Sequence, residues 1–208
     1  MQKKKTNQVF LVGEVVEKAV YSHKVNKKQF YSTKIKVVRR SGIEDVIPLL
    51  IPKSLCNVEE LFGQRLRITG SYRSYNDYYD GQKRHLILSV LVDELEILDD
   101  KQKSLEENNI FLDGYICKKP VYRTTPNGSE ITDLFLVVNR RYEKSDYIPC
   151  ICWGIDAGIA SEFEVGNRVQ LRGRIQSREY NKKISETEVE IRTAYEVSIS
   201  KMEVVYGN

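Results

Sequence analysis

The sequence predicts an all-β protein made of two copies of one small domain. Three observations indicate this: a repeat within the chain, short β-branched and aromatic runs bounded by turn residues, and a length of 208 residues. That length suits two domains of about 100 residues each. With 41% apolar and 30% charged residues, the composition is that of a globular protein. No apolar run approaches the ~18 residues of a membrane span, so no membrane partner is expected.

The internal repeat has an offset of 101 residues over most of its length. The matching segments are VFLVG and IFLDG at 9–13 and 110–114, Arg39-Arg40 and Arg140-Arg141, and DVIP and DYIP at 45–48 and 146–149. After a gap of two residues, GQRL at 63–66 matches GNRV at 166–169. Matches in one register over most of each half indicate two copies of one domain.

Each copy is predicted to form five strands, with one short helix between the third and the fourth. In the second copy the strand-like runs are 110–117, 131–141, 147–153, 169–177 and 186–203, and the helix-like segment is 155–164. The first copy has a similar insert at 53–61. This order is that of the five-stranded OB-fold barrel, so two tandem barrels account for the chain. A polar stretch separates them, and we expect domains at 1–99 and 109–208 with a linker at 100–108.

The four cysteines and two histidines do not form a metal-binding pattern. Only Cys150 and Cys152 are close in sequence, on one face of a strand, and both histidines lie in the other half. We therefore expect reduced core cysteines, no metal and no cofactor. The lack of a Ser/His/Asp or Cys/His set and of a GxxxxGK phosphate loop indicates that the chain is not an enzyme.

Alternation along residues 147–153 predicts one buried and one exposed face of a strand. The small apolar set Ile148, Cys150 and Cys152 suits an interior, which leaves Tyr147, Pro149, Ile151 and Trp153 on the outer face. Exposed large rings indicate a binding partner. The alternative is that Trp153 closes the barrel end or lies in a contact between subunits, because aromatic residues are also enriched there.

Cationic side chains lie near these rings in the sequence. Arg140 and Arg141 run into Tyr142, while Arg172, Arg174 and Arg178 precede Tyr180 and Lys182 follows it. Cations interspersed with flat rings suit a surface that holds phosphates and stacks the bases of single-stranded nucleic acid. The alternatives are a solvated hairpin tip for the first group and a charged, aggregation-resistant strand edge for the second.

These segments resemble the bacterial single-stranded DNA-binding protein family. The similar segments are YRTTPNGSEI (122–131), LVVNRRY (136–142), DYIPCICWG (146–154), GNRVQLRGRIQSREY (166–180) and TEV (187–189). Together they span nearly all of residues 109–205. In that family, rings at four such positions stack on bases, and the resemblance implies this role for Tyr142, Tyr147, Trp153 and Tyr180.

The first copy departs from the family pattern. It has Ser41, Val46 and Pro52 in place of Tyr142, Tyr147 and Trp153. Its rings collect in residues 72–79, which predict a long tyrosine-rich hairpin. That hairpin is expected either to bind nucleic acid with different rings or to pack against the second copy or a second chain. The additional candidate nucleic-acid-binding residues of this copy are Arg39, Arg40, Arg73, Tyr75, Tyr78, Tyr79 and Arg84.

The sequence favours non-catalytic, largely sequence-independent binding of single-stranded DNA in replication, recombination or repair. RNA stays open as a ligand, because stacking does not sense the 2′-hydroxyl. The alternative is an OB-fold assembly or mediator protein, of the primosome or recombination type, that binds mainly protein partners. The resemblance implies four barrels per assembly, hence a homodimer, and we expect a cytoplasmic, nucleoid-associated location. Because the sequence stops after its last strand, enzyme recruitment by the acidic tail of the family is not expected.

Overall fold

The computed structural model describes residues 6–79, 83–99, 106–140, 144–185 and 189–206, leaving aside the side chains of 77–79 and 83–85. In this part of the chain most residues lie in β-strands, as predicted, and the one α-helix is short. The first half contains β1 (Asn7–Val15), β2 (Val20–Val25), β3 (Lys28–Val38), β4 (Glu44–Pro52), β5 (Arg65–Tyr79) and β6 (Lys83–Ile97). The second half contains β7 (Glu107–Ile116), β8 (Val121–Thr124), β9 (Glu130–Asn139), β10 (Ser145–Trp153), α1 (Ile155–Ser161), β11 (Arg168–Lys183) and β12 (Val189–Val204).

Each half therefore has six strands in place of the five runs recognised in the sequence. The additional strands are β2 and β8, which pair with β3 and β9 as hairpins. Every residue of both strands is exposed. Neither strand carries the alternating apolar pattern that identified the others, because neither has a buried face.

The predicted helices differ between the halves. Helix α1 forms inside the predicted segment and buries Ala157 and Ala160, which lie three residues apart and so on one face. The first half has only a single 3-10 turn at Val58–Glu60 in the predicted segment 53–61. The connection from β4 to β5 is two residues shorter than that from β10 to β11, which leaves less chain for a helical turn. No helix among the described residues is long and apolar enough to cross a membrane.

The strands form one sheet in the order β2-β3-β4-β6-β5-β1-β7-β11-β12-β10-β9-β8. Two further pairings bring each half back on itself, β1 with β3 in the first half and β7 with β9 in the second. The two halves thus follow the same pattern of pairing in mirrored order, as the repeat in the sequence predicts.

Strands β1 and β7 join the halves. They pair antiparallel from Asn7 opposite Leu112 to Val12 opposite Glu107. Strand β7 begins at Glu107, inside the segment predicted as linker, and the Glu106 carboxylate just before it accepts hydrogen bonds from the Val38 N–H and from Arg65. The end of the predicted linker is therefore tied to the first half.

The core consists of the inward faces of the strands, as alternation on β4 and β10 predicts. Cys150 and Cys152 are buried free thiols within it, which confirms the reading of them as core residues. Burial raises the pKa of the Cys152 thiol to about 12. Glycine is required at positions 13 and 114 for a steric reason. A Cβ at Gly13 would collide with the carbonyl oxygen of Lys36, and a Cβ at Gly114 would collide with that of Val137.

Candidate nucleic-acid interface

Strand β10 presents two large rings to solvent. Tyr147 and Trp153 are each 43% exposed, while Ile148 and the cysteines on the opposite face are buried. Ile151 differs from the expected alternation: it was predicted to face outward and is only 4% exposed. It lies where β10 pairs with β12, opposite Ser198.

A third ring, not singled out from the sequence, adjoins Tyr147. Phe135 on β9 stacks beside it, with ring centroids 6.4 Å apart and planes at 25°. The Lys118 Nζ lies 4.5 Å from the Phe135 centroid. This arrangement combines two near-parallel rings and an ammonium group on the outer face of the β9–β10 pair. The sequence carried one signal for it, since Phe135 alternates with inward-facing Leu134 and Leu136.

The β11–β12 hairpin carries the fourth ring position. Tyr180 is 38% exposed and pairs across the strands with Arg192. Arg178, two residues earlier, is exposed, and its Nε lies 3.9 Å from Glu196. Arg172, further back on β11, lies with its guanidinium carbon 5.0 Å from the Phe111 ring centroid. Lys182 is half-buried near the hairpin end.

Arg140 is engaged in a contact between the two halves. Its Nε donates to the buried Asp146 carboxylate at 2.7 Å, and its Nη2 donates to the other oxygen of the same carboxylate. The Nη2 group also donates to the Ser74 carbonyl at 2.9 Å. Arg73 of the first half reaches the same carboxylate at 2.9 Å. Three hydrogen bonds thus join the Arg140 guanidinium to protein oxygens.

The first half repeats this arrangement around Asp45, which is also fully buried. Arg39 donates to both Asp45 oxygens, and this hydrogen bonding raises the pKa of the arginine. The Ser177 N–H of the second half donates to Asp45 at 3.0 Å, and the Ser177 hydroxyl accepts the Val46 N–H. Ser74 of the first half makes the equivalent pair of bonds to the second half: its N–H donates to Asp146, and its hydroxyl accepts the Tyr147 N–H.

The tyrosine-rich hairpin β5–β6 begins at this contact. Arg73 and Ser74 pack against β10 of the second half, which favours the packing alternative for the base of the hairpin. Tyr75 is 50% exposed just beyond. The side chains of Tyr78, Tyr79 and Arg84, and the residues Arg141 and Tyr142, lie outside the described part of the chain.

A cavity of about 420 Å³ brings together cationic candidates from both halves. Arg39 and Arg40 line it from the first half and Arg174 from the second, with Asp45 and Glu106 also at its wall. Burial, and secondarily the neighbouring Arg39, lower the pKa of Arg174. Arg40 is exposed at the rim of this space. Within the described residues, no group of three His, Cys, Asp or Glu side chains is placed to hold a metal ion.

Comparison with solved structures identifies the class of fold. The chain resembles the wild-type single-stranded DNA binding protein from Thermus aquaticus with a TM-score of 0.76 at 19% identity, over 97% of this chain and 94% of that one. A deletion mutant of the same protein gives a TM-score of 0.71 at 20% identity. At this identity the similarity concerns the fold, which is OB-fold-like.

Comparison of sequences shows which family the second half resembles. Residues 107–205 match the model of the single-strand binding protein family. Single-stranded DNA-binding protein A of Bacillus subtilis is 32% identical over 80 residues, 35% of this chain and 46% of the relative. A single-stranded DNA-binding protein of Bacillus cereus is 32% identical over 93 residues, 39% of this chain and 55% of the relative. The chain thus spans about half the length of these relatives.

Proposed function

We propose that this protein is a non-catalytic, largely sequence-independent binder of single-stranded DNA. The observation that carries the proposal is the stacked pair of Phe135 and Tyr147, beside Lys118 and on the same sheet surface as the exposed Trp153. The rings supply faces on which any base can stack, and the ammonium group supplies charge for a phosphate. The names of the matched relatives and family support this reading over that of an assembly protein.

The proposed path follows the outer surface of the second half. Tyr147 and Trp153 are six residues apart on one strand, which corresponds to about 20 Å. Each base stacked on such a ring contributes roughly 1–3 kcal/mol to binding. Tyr180 extends the path onto β11, and Tyr142 retains the stacking role implied by the resemblance. The proposed phosphate contacts are Lys118, Arg141, Arg172, Arg174, Arg178 and Lys182.

Arg140, Arg39 and Arg73 have a different proposed role. They neutralise the buried Asp146 and Asp45 where the halves meet. They position the start of β10 and of β4 and contribute to DNA binding through that positioning. Arg40 and Tyr75 remain proposed contacts of the first half, together with Tyr78, Tyr79 and Arg84.

The proposed architecture is two OB barrels in tandem. The pairings of β1 with β3 and of β7 with β9 support a closed strand order in each half. We place the first domain at 1–99 and the second at 109–208, with a linker at 100–108. Because β7 begins at Glu107, the last two residues of that linker belong to the first strand of the second domain. Two chains would supply the four barrels that the family resemblance implies, and light scattering tests this homodimer against a monomer.

A titration with oligo-dT tests the function. Trp153 is the single tryptophan, so its fluorescence reports directly on the proposed surface. We expect quenching on binding and an affinity that falls as salt rises. A duplex of equal length serves as the control and should bind more weakly. Absence of quenching, or equal affinity for both ligands, would overturn the proposal.

A further inference from the structure

Helix α1 carries apolar side chains on two sides. Ala157 and Ala160 face the core, whereas Ile155 and Ile159, one helical turn apart, are 87% and 54% exposed. Val165, just beyond the helix, is also exposed. A group of large apolar side chains left open to solvent is typical of a contact surface for another protein.

The same segment is acidic. Residues 154–167 contain three carboxylates and no Lys, Arg or His. All three are exposed, and within the described part of the chain none of them forms an ion pair: Asp156, Glu162 and Glu164. These carboxylates and the three exposed apolar side chains together form the α1 surface. Because like charges repel, this surface suits a partner that is cationic and partly apolar rather than a polyphosphate.

A surface of the opposite charge lies in the first half, on β2 and its turn to β3. Residues 18–29 contain four lysines and no Asp or Glu. All four are exposed, and no carboxylate among the described residues forms an ion pair with any of them: Lys18, Lys24, Lys27 and Lys28. Beside them, β2 exposes the apolar side chains of Val20, Tyr21 and Val25. These lysines and apolar side chains form the hairpin surface.

The two surfaces belong to opposite ends of the strand order. Strand β2 is the first in that order, whereas α1 packs against β8, β9 and β10 at the other end. Both surfaces are exposed in the single chain, so a chain does not cover its own α1 surface with its own hairpin surface. A contact between the two surfaces therefore joins two copies of the chain.

The hairpin surface occurs only once in the repeat. The corresponding residues 119–130 contain Lys119, Arg123 and Glu130, and Arg123 is held by Asp133 through two hydrogen bonds of 2.6 and 3.2 Å. A contact between the α1 surface and the hairpin surface thus joins unlike surfaces and is heterologous. Such a contact differs from the two-fold contact of a homodimer and adds copies in a row.

We propose that the α1 surface binds the hairpin surface of a second copy of the chain. Opposite charges steer and orient the two surfaces, and their apolar side chains cover each other. The occupant is a second copy because the chain itself supplies the charge and the apolar character that the α1 surface requires. Salt should weaken the contact, because it screens exposed charges beyond about 10 Å at 0.1 M. The inference goes beyond the proposed function and does not depend on it, since no DNA enters the contact.

Sedimentation equilibrium of the full chain without DNA, at low salt and over a range of concentrations, measures this contact. The variant Glu162→Lys/Glu164→Lys reverses the charge of the α1 surface, and Lys24→Glu/Lys28→Glu reverses that of the hairpin surface. We expect the native chain to form assemblies larger than a dimer as its concentration rises. Each variant alone should associate at least about tenfold more weakly, because like charges then face each other. An equimolar mixture of the two variants should associate as the native chain does, since their altered surfaces have opposite charges.

A further variant tests the apolar part of the contact. Ile155→Ser/Ile159→Ser should weaken association, whereas Val189→Ser/Ile191→Ser, which changes exposed apolar side chains on β12, is the control and should associate as the native chain does. The proposal is overturned if the native chain keeps one mass at every concentration, or if the charge-reversed variants associate as the native chain does. It is also overturned if their mixture associates no better than either variant alone, or if the serine variant and its control behave alike. Quenching of Trp153 by oligo-dT is measured separately, so these outcomes are distinguishable from a failure of the proposed function.

Discussion

The Asp146 carboxylate accepts the backbone N–H of Ser74 at 2.7 Å across the contact between the two halves. The Ser74 hydroxyl in turn accepts the N–H of Tyr147, one of the exposed rings. A buried group of the first half thereby fixes the backbone that carries a proposed base-stacking residue of the second. We therefore expect substitutions at this contact to change both the stability of the fold and the proposed binding.

Asp146→Asn should destabilise the protein strongly. The substitution leaves the guanidinium groups of Arg140 and Arg73 without their buried counter-charge, a loss that typically amounts to about 3–5 kcal/mol. Urea unfolding measures it. Asp45→Asn is the matched comparison and should lose less, since one arginine pairs with Asp45. Equal or negligible losses would contradict the role of these arginines.

Tyr147→Leu should weaken oligo-dT binding by about 1–3 kcal/mol while the unfolding midpoint stays nearly constant. The ring is exposed and stacked on Phe135, so its removal deletes a stacking surface without opening the core. Phe62→Leu in the first half removes a similarly exposed ring outside the proposed path; it is the control and should bind as the native chain does. A comparable loss in both variants would place the binding path elsewhere.

Lys118→Gln should reduce the salt dependence of binding by about 0.7 in the log–log slope, the value for one phosphate contact on a single strand. Lys118 lies 4.5 Å from the Phe135 ring, where an ammonium group can meet the phosphate of a stacked nucleotide. Its exposed neighbour Lys119 provides the control through Lys119→Gln. The prediction fails if the two variants give the same slope.

Alkaline pH should destabilise the native chain through Cys152. Burial raises the pKa of this thiol in the folded state to about 12, above the value near 9 of an exposed thiol. The folded state holds its proton longer than the unfolded state, so this contribution is present below pH 9 and is lost as the pH rises toward 12. Between pH 8 and pH 10, the loss in unfolding free energy should be about 1 kcal/mol greater for the native chain than for Cys152→Ala. Parallel pH profiles would contradict the prediction.

Lys27→Gly should stabilise the protein. Lys27, in the turn between β2 and β3, has a φ of 67°, which is unfavourable by about 1–2 kcal/mol for residues other than glycine. Lys28→Gln is the comparison, because it removes the same charge without changing backbone strain. We expect a gain in the midpoint of urea unfolding for the glycine variant alone, and equal midpoints in the two variants would contradict the prediction.

Much of the fold was predictable because the chain repeats itself. The offset between the copies identified equivalent segments, and period-two alternation identified the buried faces of β4 and β10. The same repeat also contains a signal for the contact between the halves. An arginine recurs six residues before an aspartate in both copies, as Arg39–Asp45 and Arg140–Asp146, and that recurrence marked a structural ion pair.

Other parts of the site were not predictable from local pattern. Ser74 and Ser177 act on residues that are distant in sequence, so no spacing rule connects them to Asp146 and Asp45. Phe135 becomes a site residue through a neighbour on another strand.

The exchange of serines between the halves has a consequence for a divided chain. Each half carries one aspartate that accepts a serine N–H from the other half and one serine that donates to the aspartate of the other half. Neither half satisfies its own buried aspartate in full, so the two pieces of a chain cut between the halves should bind each other.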